Sequence, residues 1–186
     1  MFLAGRLSVA SQAANHIALS MAHFAFMFHI GLGVTAVVRT GNQVGKPNIK
    51  ELVSRLLQSI LVIVVCMTCF MGVAIFCAKD QIPFIYVDDY NVCVIASTLL
   101  VFAAIFQFLD GFHVFIIGAL RGLQDVNIPT LILLVSYWGI GLFSTYYWSQ
   151  EHLYAEKGIW IGLISSISFA VVLLYLRLKY LVARLD

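Results

Sequence analysis

Long apolar runs separated by short polar stretches dominate the chain. Five runs of roughly 20 residues, the length that crosses ~30 Å of hydrocarbon as a helix, fall at about residues 14–38, 56–78, 92–120, 130–148 and 158–176. The intervening stretches are polar: RTGNQVGKPNIKELVSR (39–55), which reads as a loop leading into an amphipathic helix start, then KDQIPFIYVDDYN, RGLQDVNIP and SQEHLYAEK. The pattern predicts an all-α, polytopic transmembrane helix bundle forming one transmembrane domain over residues 1–186. The opening MFLAGRLSVASQAA has too short an apolar run before Arg6 for a signal peptide. It reads as the end of a sixth helix, with further residues expected upstream of Met1.

Composition sharpens this reading. The chain is 62% hydrophobic and only 11% charged, with a mean hydropathy of +0.97, well above what a soluble core requires. The lipid bilayer is therefore the first partner, and no nucleic-acid partner is expected. Lys and Arg accumulate on the cytoplasmic side of short loops. Placing Arg39, Lys46, Lys50, Arg55, Arg121, Arg177, Lys179 and Arg184 inside leaves only Arg6, Lys79 and Lys157 outside, together with Asp80, Asp88, Asp89, Glu151 and Glu156. This predicts a cytoplasmic C-terminus in the plasma (inner) membrane. Tyr86, Tyr90, Tyr146, Tyr147, Trp148, Tyr154 and Trp160 are expected in the outer interfacial belt.

Little in the chain suggests covalent chemistry. Cys66 and Cys69 have CxxC spacing but lie within an apolar run, where a thiol behaves as a small apolar group. No nearby His or Cys pair completes a four-ligand metal set. His23 and His29 are six apart and do not share a clean helical face, and neither belongs to an HExxH pattern. GxSxG and P-loop patterns are absent, so an enzyme is not expected and no cofactor is implied.

The polar residue that stands out is Asp110, inside FQFLDGFHVFIIGALRG (106–122). An ionised carboxylate at the bilayer centre costs about 2.5–3.5 kcal/mol on insertion scales, so it normally faces a protein interior or a wet cavity. Burial disfavours its charged form, suiting the group to proton exchange, and its oxygens are hard ligands for a small cation such as Na⁺. Helical spacing places Gln107 three residues before it, and His113 and Val114 three and four after, so Gln107, His113 and Val114 are candidates to line a cavity beside Asp110. The competing reading is structural: Asp110 hydrogen-bonds a neighbouring helix as polar residues do in other membrane bundles. Gly111 and Gly118 are compatible with close helix approach.

Several stretches, taken in order, resemble the C-terminal half of the MATE family of multidrug and toxic compound extrusion transporters. AANHIALSM resembles the start of that family's eighth helix, and VVRTGNQVGKPN its VRxGNxxGxxN signature. The third apolar run, continuing into GALRGLQDVNIPTLILLVSYW, resembles the tenth helix, the LRGxxDxxxP loop and the start of the eleventh. The resemblance implies one lobe of a twelve-helix, two-lobe transporter, exporting hydrophobic cationic drugs or toxic organic cations by alternating access, coupled to inward flow of Na⁺ or H⁺. It implies a cation-coupling role for Asp110 and a functional partner, either a separately made N-lobe or a second copy of this chain. The alternative is a non-transporting membrane fragment or interaction lobe.

This sequence also departs from the family pattern. An acid of the seventh helix falls before Met1, a tyrosine of some members is replaced by Phe106, and a common proline is replaced by His29, so the first full span is expected to run straight there. Arg39, Gly41, Gly45 and Lys46 read as a cytoplasmic helix end and turn. Arg121, Gly122, Asp125 and Pro129 form the next cytoplasmic connection, either with Asp125 or Asn127 capping the following helix or with Arg121 and Asp125 acting as a gate.

Overall fold

The computed structural model describes residues 8–149 and 155–185. Helix α1 (Val9–Gly41) begins where the Ser8 hydroxyl accepts from the Ser11 N–H at 3.0 Å, and it continues unbroken through His29. A turn then passes through Gly45, whose φ of 86° suits a residue without Cβ, and through left-handed Asn48, into α2 (Ile49–Ala78). A short helix, α3 (Ile82–Tyr86), leads to α4 (Tyr90–Gly122), which Asp89 caps by accepting from the Asn91 N–H at 2.9 Å. The fourth crossing consists of α5 (Asn127–Leu134), a π-helical stretch (Val135–Gly141) and α6 (Leu142–Ser149), and α7 (Ala155–Ala183) completes the bundle.

Five helical segments are long and apolar enough to cross a membrane. Each extends past the run that hydropathy marks, because hydropathy detects only the part in hydrocarbon. Backbone hydrogen bonding continues through the polar margins until a cap such as Ser8 or Asp89, or a left-handed residue such as Asn48 or Gln124 (φ 63°), ends it. The expected loop at 39–55 is therefore shorter, with helix resuming at Ile49. Residues 8–14, read from sequence as the end of a preceding helix, instead form the cap and first turns of α1, whereas residues 1–7 lie outside the described residues. The helix α3, with Pro83 in its first turn, is too short for hydropathy to signal.

The centre of the bundle is the α1–α4 pair. Helix α1 buries Ala14, Ala18, Ala22, Ala25, His29, Gly33 and Ala36 at helical spacing, and α4 meets them with Ala96, Ala103, Gly111 and Gly118. A Cβ added at Gly118 would lie 2.4 Å from the Gly33 carbonyl oxygen. In lipid, where burial of apolar side chains gives no gain between helices, such backbone contact is how helices acquire packing energy. Helices α2 and α7 flank the pair and complete two apolar clusters, one around Met71, Leu99, Leu100 and Trp160, the other around Val64, Phe115, Ile116 and Leu174. Large side chains such as Met27, Phe70, Phe76, Trp138 and Phe143 point outward, the arrangement expected of a bundle solvated by lipid.

One end of the bundle gathers the predicted cytoplasmic segments. There the Lys50 ammonium donates to the Ala183 carbonyl at 2.9 Å, and Arg177 Nε donates to Asp125 Oδ2 at 2.7 Å. At the opposite end, the Ser11 hydroxyl donates to Glu156 and the Ser97 hydroxyl to Asp80. Tyr86, Tyr90, Tyr146 and Tyr147 are exposed there, while Tyr154 lies outside the described residues. Trp160 departs from the interfacial expectation: it is fully buried, its indole N–H donating to Asn15 Oδ1 at 3.0 Å. The α1–α7 contact supplies both the apolar surround and the acceptor that an indole needs away from water.

The Ser97 hydroxyl and the Lys79 ammonium hold the Asp80 carboxyl below its ordinary range. A depressed carboxyl contributes stability that is present above its unfolded value and is lost as pH falls through its folded one. The tie between the 79–81 turn and α4 is thus expected to persist from pH 7 to 5 and to loosen only below about pH 4. Amide exchange near Asp80 and Ser97, compared with an Asp80→Asn variant, checks this; equal protection in the two proteins at pH 7 would refute it.

Candidate functional site: a buried carboxylate between two imidazoles

Asp110 lies about 18 Å along α4 from Gly122, at 1.5 Å per residue, and is only 4% exposed. Its Oδ2 is 3.2 Å from Nδ1 of His29 on α1. Either the imidazole N–H donates to the carboxylate or a carboxylic O–H donates to the imidazole, so this contact can hold one shared proton. His29 Nε2 is buried without a hydrogen-bond partner among the described residues. Gly111 makes the contact possible: a Cβ there would lie 3.3 Å from His29 Nε2 and 2.0 Å from Cγ2 of Thr68 on α2. Three helices therefore converge on this point.

On the other side, His113 Nδ1 lies 3.9 Å from Asp110 Oδ1. Neither of its ring nitrogens has a hydrogen-bond partner among the described residues. Its ring meets Tyr137 edge-on, centroids 6.1 Å apart. Tyr137 belongs to the π-helical stretch, a widened turn of the kind often found at functional sites.

The four side chains grouped by helical spacing do not share one cavity. Asp110 helps to wall a recess of ≈ 250 Å³ with Ala22, His23 and Phe26 of α1, Phe106 of α4, and Trp160 of α7. His113 and Val114 line a second recess, of ≈ 300 Å³, that reaches Arg121 and shares Phe26 with the first. Gln107 does not line Asp110's recess; it is fully buried, with Nε2 donating to the Ala22 carbonyl at 3.1 Å. Close approach of α1 turns its carboxamide into the helix interface, leaving Oε1 buried without a partner.

The aromatic residues around Asp110 are divided in the same way. Phe106 faces the recess and packs edge-on against Trp160, Phe108 is exposed and meets Phe112 edge-on, and Phe115 is buried in the second apolar cluster. Among the described residues no set of three or more His, Cys, Asp or Glu side chains is arranged to hold a metal ion. Cys66, Cys69 and Cys77 are exposed on α2, Cys93 is buried, and all four are free thiols.

The loop residues lie at the basic end. Arg39, Gly45 and Arg121 are exposed, while Gly122 and Pro129 are buried. Gly41 approaches the Gly122 carbonyl, from which an added Cβ would be 3.6 Å. Asp125 neither caps α5 nor pairs with Arg121: Val126 occupies the cap position, and the Asp125 carboxylate is taken by Arg177 of α7. That partner is invisible to local spacing because it lies 52 residues away.

His29 is the site residue that reasoning from spacing missed. Its signal was present in the small-residue stripe Ala18, Ala22, Ala25, Gly33 and Ala36, which runs above and below it on one face of α1. A histidine in such a stripe is directed at the facing helix, here toward Asp110.

Comparison with known proteins agrees with this architecture. The sequence model of the MatE family matches residues 1–147. A probable multidrug resistance protein NorM from Xanthomonas axonopodis pv. citri (strain 306) is 36% identical over 98% of this chain, which covers 40% of that protein. Multidrug resistance protein PmpM of Pseudomonas aeruginosa is 32% identical over 95% of this chain and 38% of its own length. The chain thus spans about 40% of the length of these relatives. The crystal structure of the eukaryotic MATE transporter AtDTX14 superimposes with a TM-score of 0.84 at 19% identity, over 95% of this chain and 38% of that one. The chain is therefore an integral membrane protein of the MatE family, with the fold of one lobe of a multidrug and toxic compound extrusion transporter.

Proposed function

We propose that this chain forms one lobe of a cation-coupled multidrug exporter, with Asp110 carrying the coupling ion and the predicted basic end facing the cytoplasm. The observation that carries the proposal is a carboxylate buried within a helix long and apolar enough to cross a membrane, between His29 and His113 and at the wall of an aromatic recess. A charged group there is costly unless it serves an ion or a partner. An anionic Asp110 beside Phe26, Phe106 and Trp160 suits a hydrophobic organic cation, through charge and ring faces together. Proton or Na⁺ binding neutralises the same carboxylate. Coupling ion and organic cation then compete for one charge, so that binding of either opposes binding of the other.

The donor set favours a proton. Na⁺, like other hard cations, prefers several oxygen ligands, whereas Asp110 is flanked by imidazole nitrogens, and Gln107 Oε1, nearby in sequence, is a buried oxygen without a partner among the described residues. Alternating access requires a second lobe, supplied by an N-lobe or by a second copy of this chain, that closes the recess in turn.

The direct test is efflux of a fluorescent lipophilic cation from membrane vesicles containing the protein in its cellular form. An inward proton gradient is expected to stimulate efflux, with a weaker response to a Na⁺ gradient. Efflux indifferent to both gradients would remove the coupled-transport reading, and stimulation by Na⁺ alone would reverse the ion assignment.

A further inference from the structure

A different recess lies between α2, α4 and α7 and shares no lining residue with the one beside Asp110. It has a volume of ≈ 390 Å³, and its walls are apolar: Leu57, Leu61, Phe115, Ile116, Val171 and Leu178. Its mouth, toward the basic end, is polar, formed by Ser54, Gln58 and Lys179. Ser54 and Gln58 also line an adjoining polar recess of ≈ 560 Å³, together with Lys50, Glu51 and Arg55. The two recesses thus lie side by side across Ser54 and Gln58 and present one amphiphilic slot, apolar between α2, α4 and α7 and polar at its margin.

Charge among the described residues at the mouth is unbalanced. Glu51 is occupied by Arg55, and Lys50 by the Ala183 carbonyl. Lys179 is exposed and has no hydrogen-bond or ion-pair partner among the described residues. Among the described residues, three cations thus surround one carboxylate, and Lys179, at the mouth of the apolar recess, has no carboxylate partner.

We propose that this slot binds an anionic phospholipid, one acyl chain lying between α2, α4 and α7 and the phosphate meeting Lys179, with Ser54 and Gln58 as hydrogen-bond partners. The apolar walls require a chain that the bilayer supplies in place. The unpaired ammonium selects an anionic headgroup over a zwitterionic one, whose own cation would be brought toward Lys179. Lysine serves here as a point charge for phosphate, on a stem long enough to follow the headgroup.

Native mass spectrometry of the purified full chain, in micelles holding equal phosphatidylglycerol and phosphatidylcholine, reads the ratio of retained lipids. Phosphatidylglycerol is expected to predominate. Lys179→Gln should lower that ratio about fivefold, the effect of one basic residue at an anionic surface, and Lys179→Arg should restore it. Lys46→Gln, at the same end but outside the slot, should leave the ratio unchanged, and Leu57→Phe should reduce retention with Lys179 intact. Equal retention of the two lipids by the unaltered protein would overturn the proposal, as would an equal fall in Lys46→Gln or full retention in Leu57→Phe. Displacement of the bound lipid by soluble glycerol phosphate would assign the mouth to free phosphate instead and overturn the lipid assignment.

Discussion

Asp110→Asn is expected to abolish gradient-driven efflux while leaving the protein folded. Asparagine is nearly isosteric with aspartate, and its carboxamide oxygen can still accept from His29 Nδ1, which lies 3.2 Å from the present carboxylate. The α1–α4 contact therefore survives. What disappears is the negative charge that an organic cation and a coupling ion would share, together with the group's capacity to take up and release a proton. Loss of the coupling interaction should lower the gradient-stimulated rate by at least about tenfold, the factor that ~1.4 kcal/mol represents. Passive leak should be unaffected. The measurement is efflux from vesicles carrying equal amounts of the unaltered protein and the Asp110→Asn variant, with size-exclusion profiles confirming equal folding. An unchanged stimulated rate would limit Asp110 to holding α1 against α4.

Gly118→Val is expected to be the most damaging single substitution in the bundle interior. The new Cβ would lie 2.4 Å from the Gly33 carbonyl oxygen and 3.1 Å from Ala36 Cβ, on the facing helix. The first neighbour is backbone, so no rotamer change relieves the clash and the two helices must separate. Overpacking a core typically costs about 1–3 kcal/mol, and this case belongs at the upper end because small-residue contact is the main attraction between membrane helices. Gly31→Ala is the matched control: a Cβ at Gly31 meets nothing within 4 Å, and alanine is the better helix former. Thermal unfolding in detergent should show Gly118→Val melting well below the unaltered protein, or failing to yield a monodisperse peak, with Gly31→Ala at or above it. Equal melting of the two variants would show that the α1–α4 approach is not the limiting contact. Separation of these helices also draws His29 away from Asp110, so a folded Gly118→Val protein should lose efflux as well.

Both predictions turn on features that differ in how far sequence reveals them. Five helical segments long and apolar enough to cross a membrane, their order and the end shared by Arg39, Arg121 and Arg177 were readable because hydrocarbon imposes a length and a polarity on each segment, whatever its neighbours do. Asp110 was readable for a related reason: a carboxylate in an apolar run is conspicuous without any knowledge of packing. Its partners were not. His29 is 81 residues from Asp110, and Asp125 finds Arg177 across 52. Local spacing instead suggested Gln107 as a cavity residue and Arg121 as the partner of Asp125. Trp160 shows the same limit, since its place at a span end suggested an interfacial ring, and only Asn15 on α1 explains its burial.

The amino-acid sequence by itself therefore determined that this chain carries five apolar helical segments long enough to cross a membrane, in what order, and that one acid lies inside the third, since these follow from the transfer of individual residues between water and lipid. Tertiary structure alone decided which side chains meet that acid, which recess it faces, and that Gln107 turns into the α1 interface. Those outcomes depend on how closely two helices approach and at what rotation, and that is settled by the mutual fit of Gly33, Gly111 and Gly118 across the α1–α4 contact.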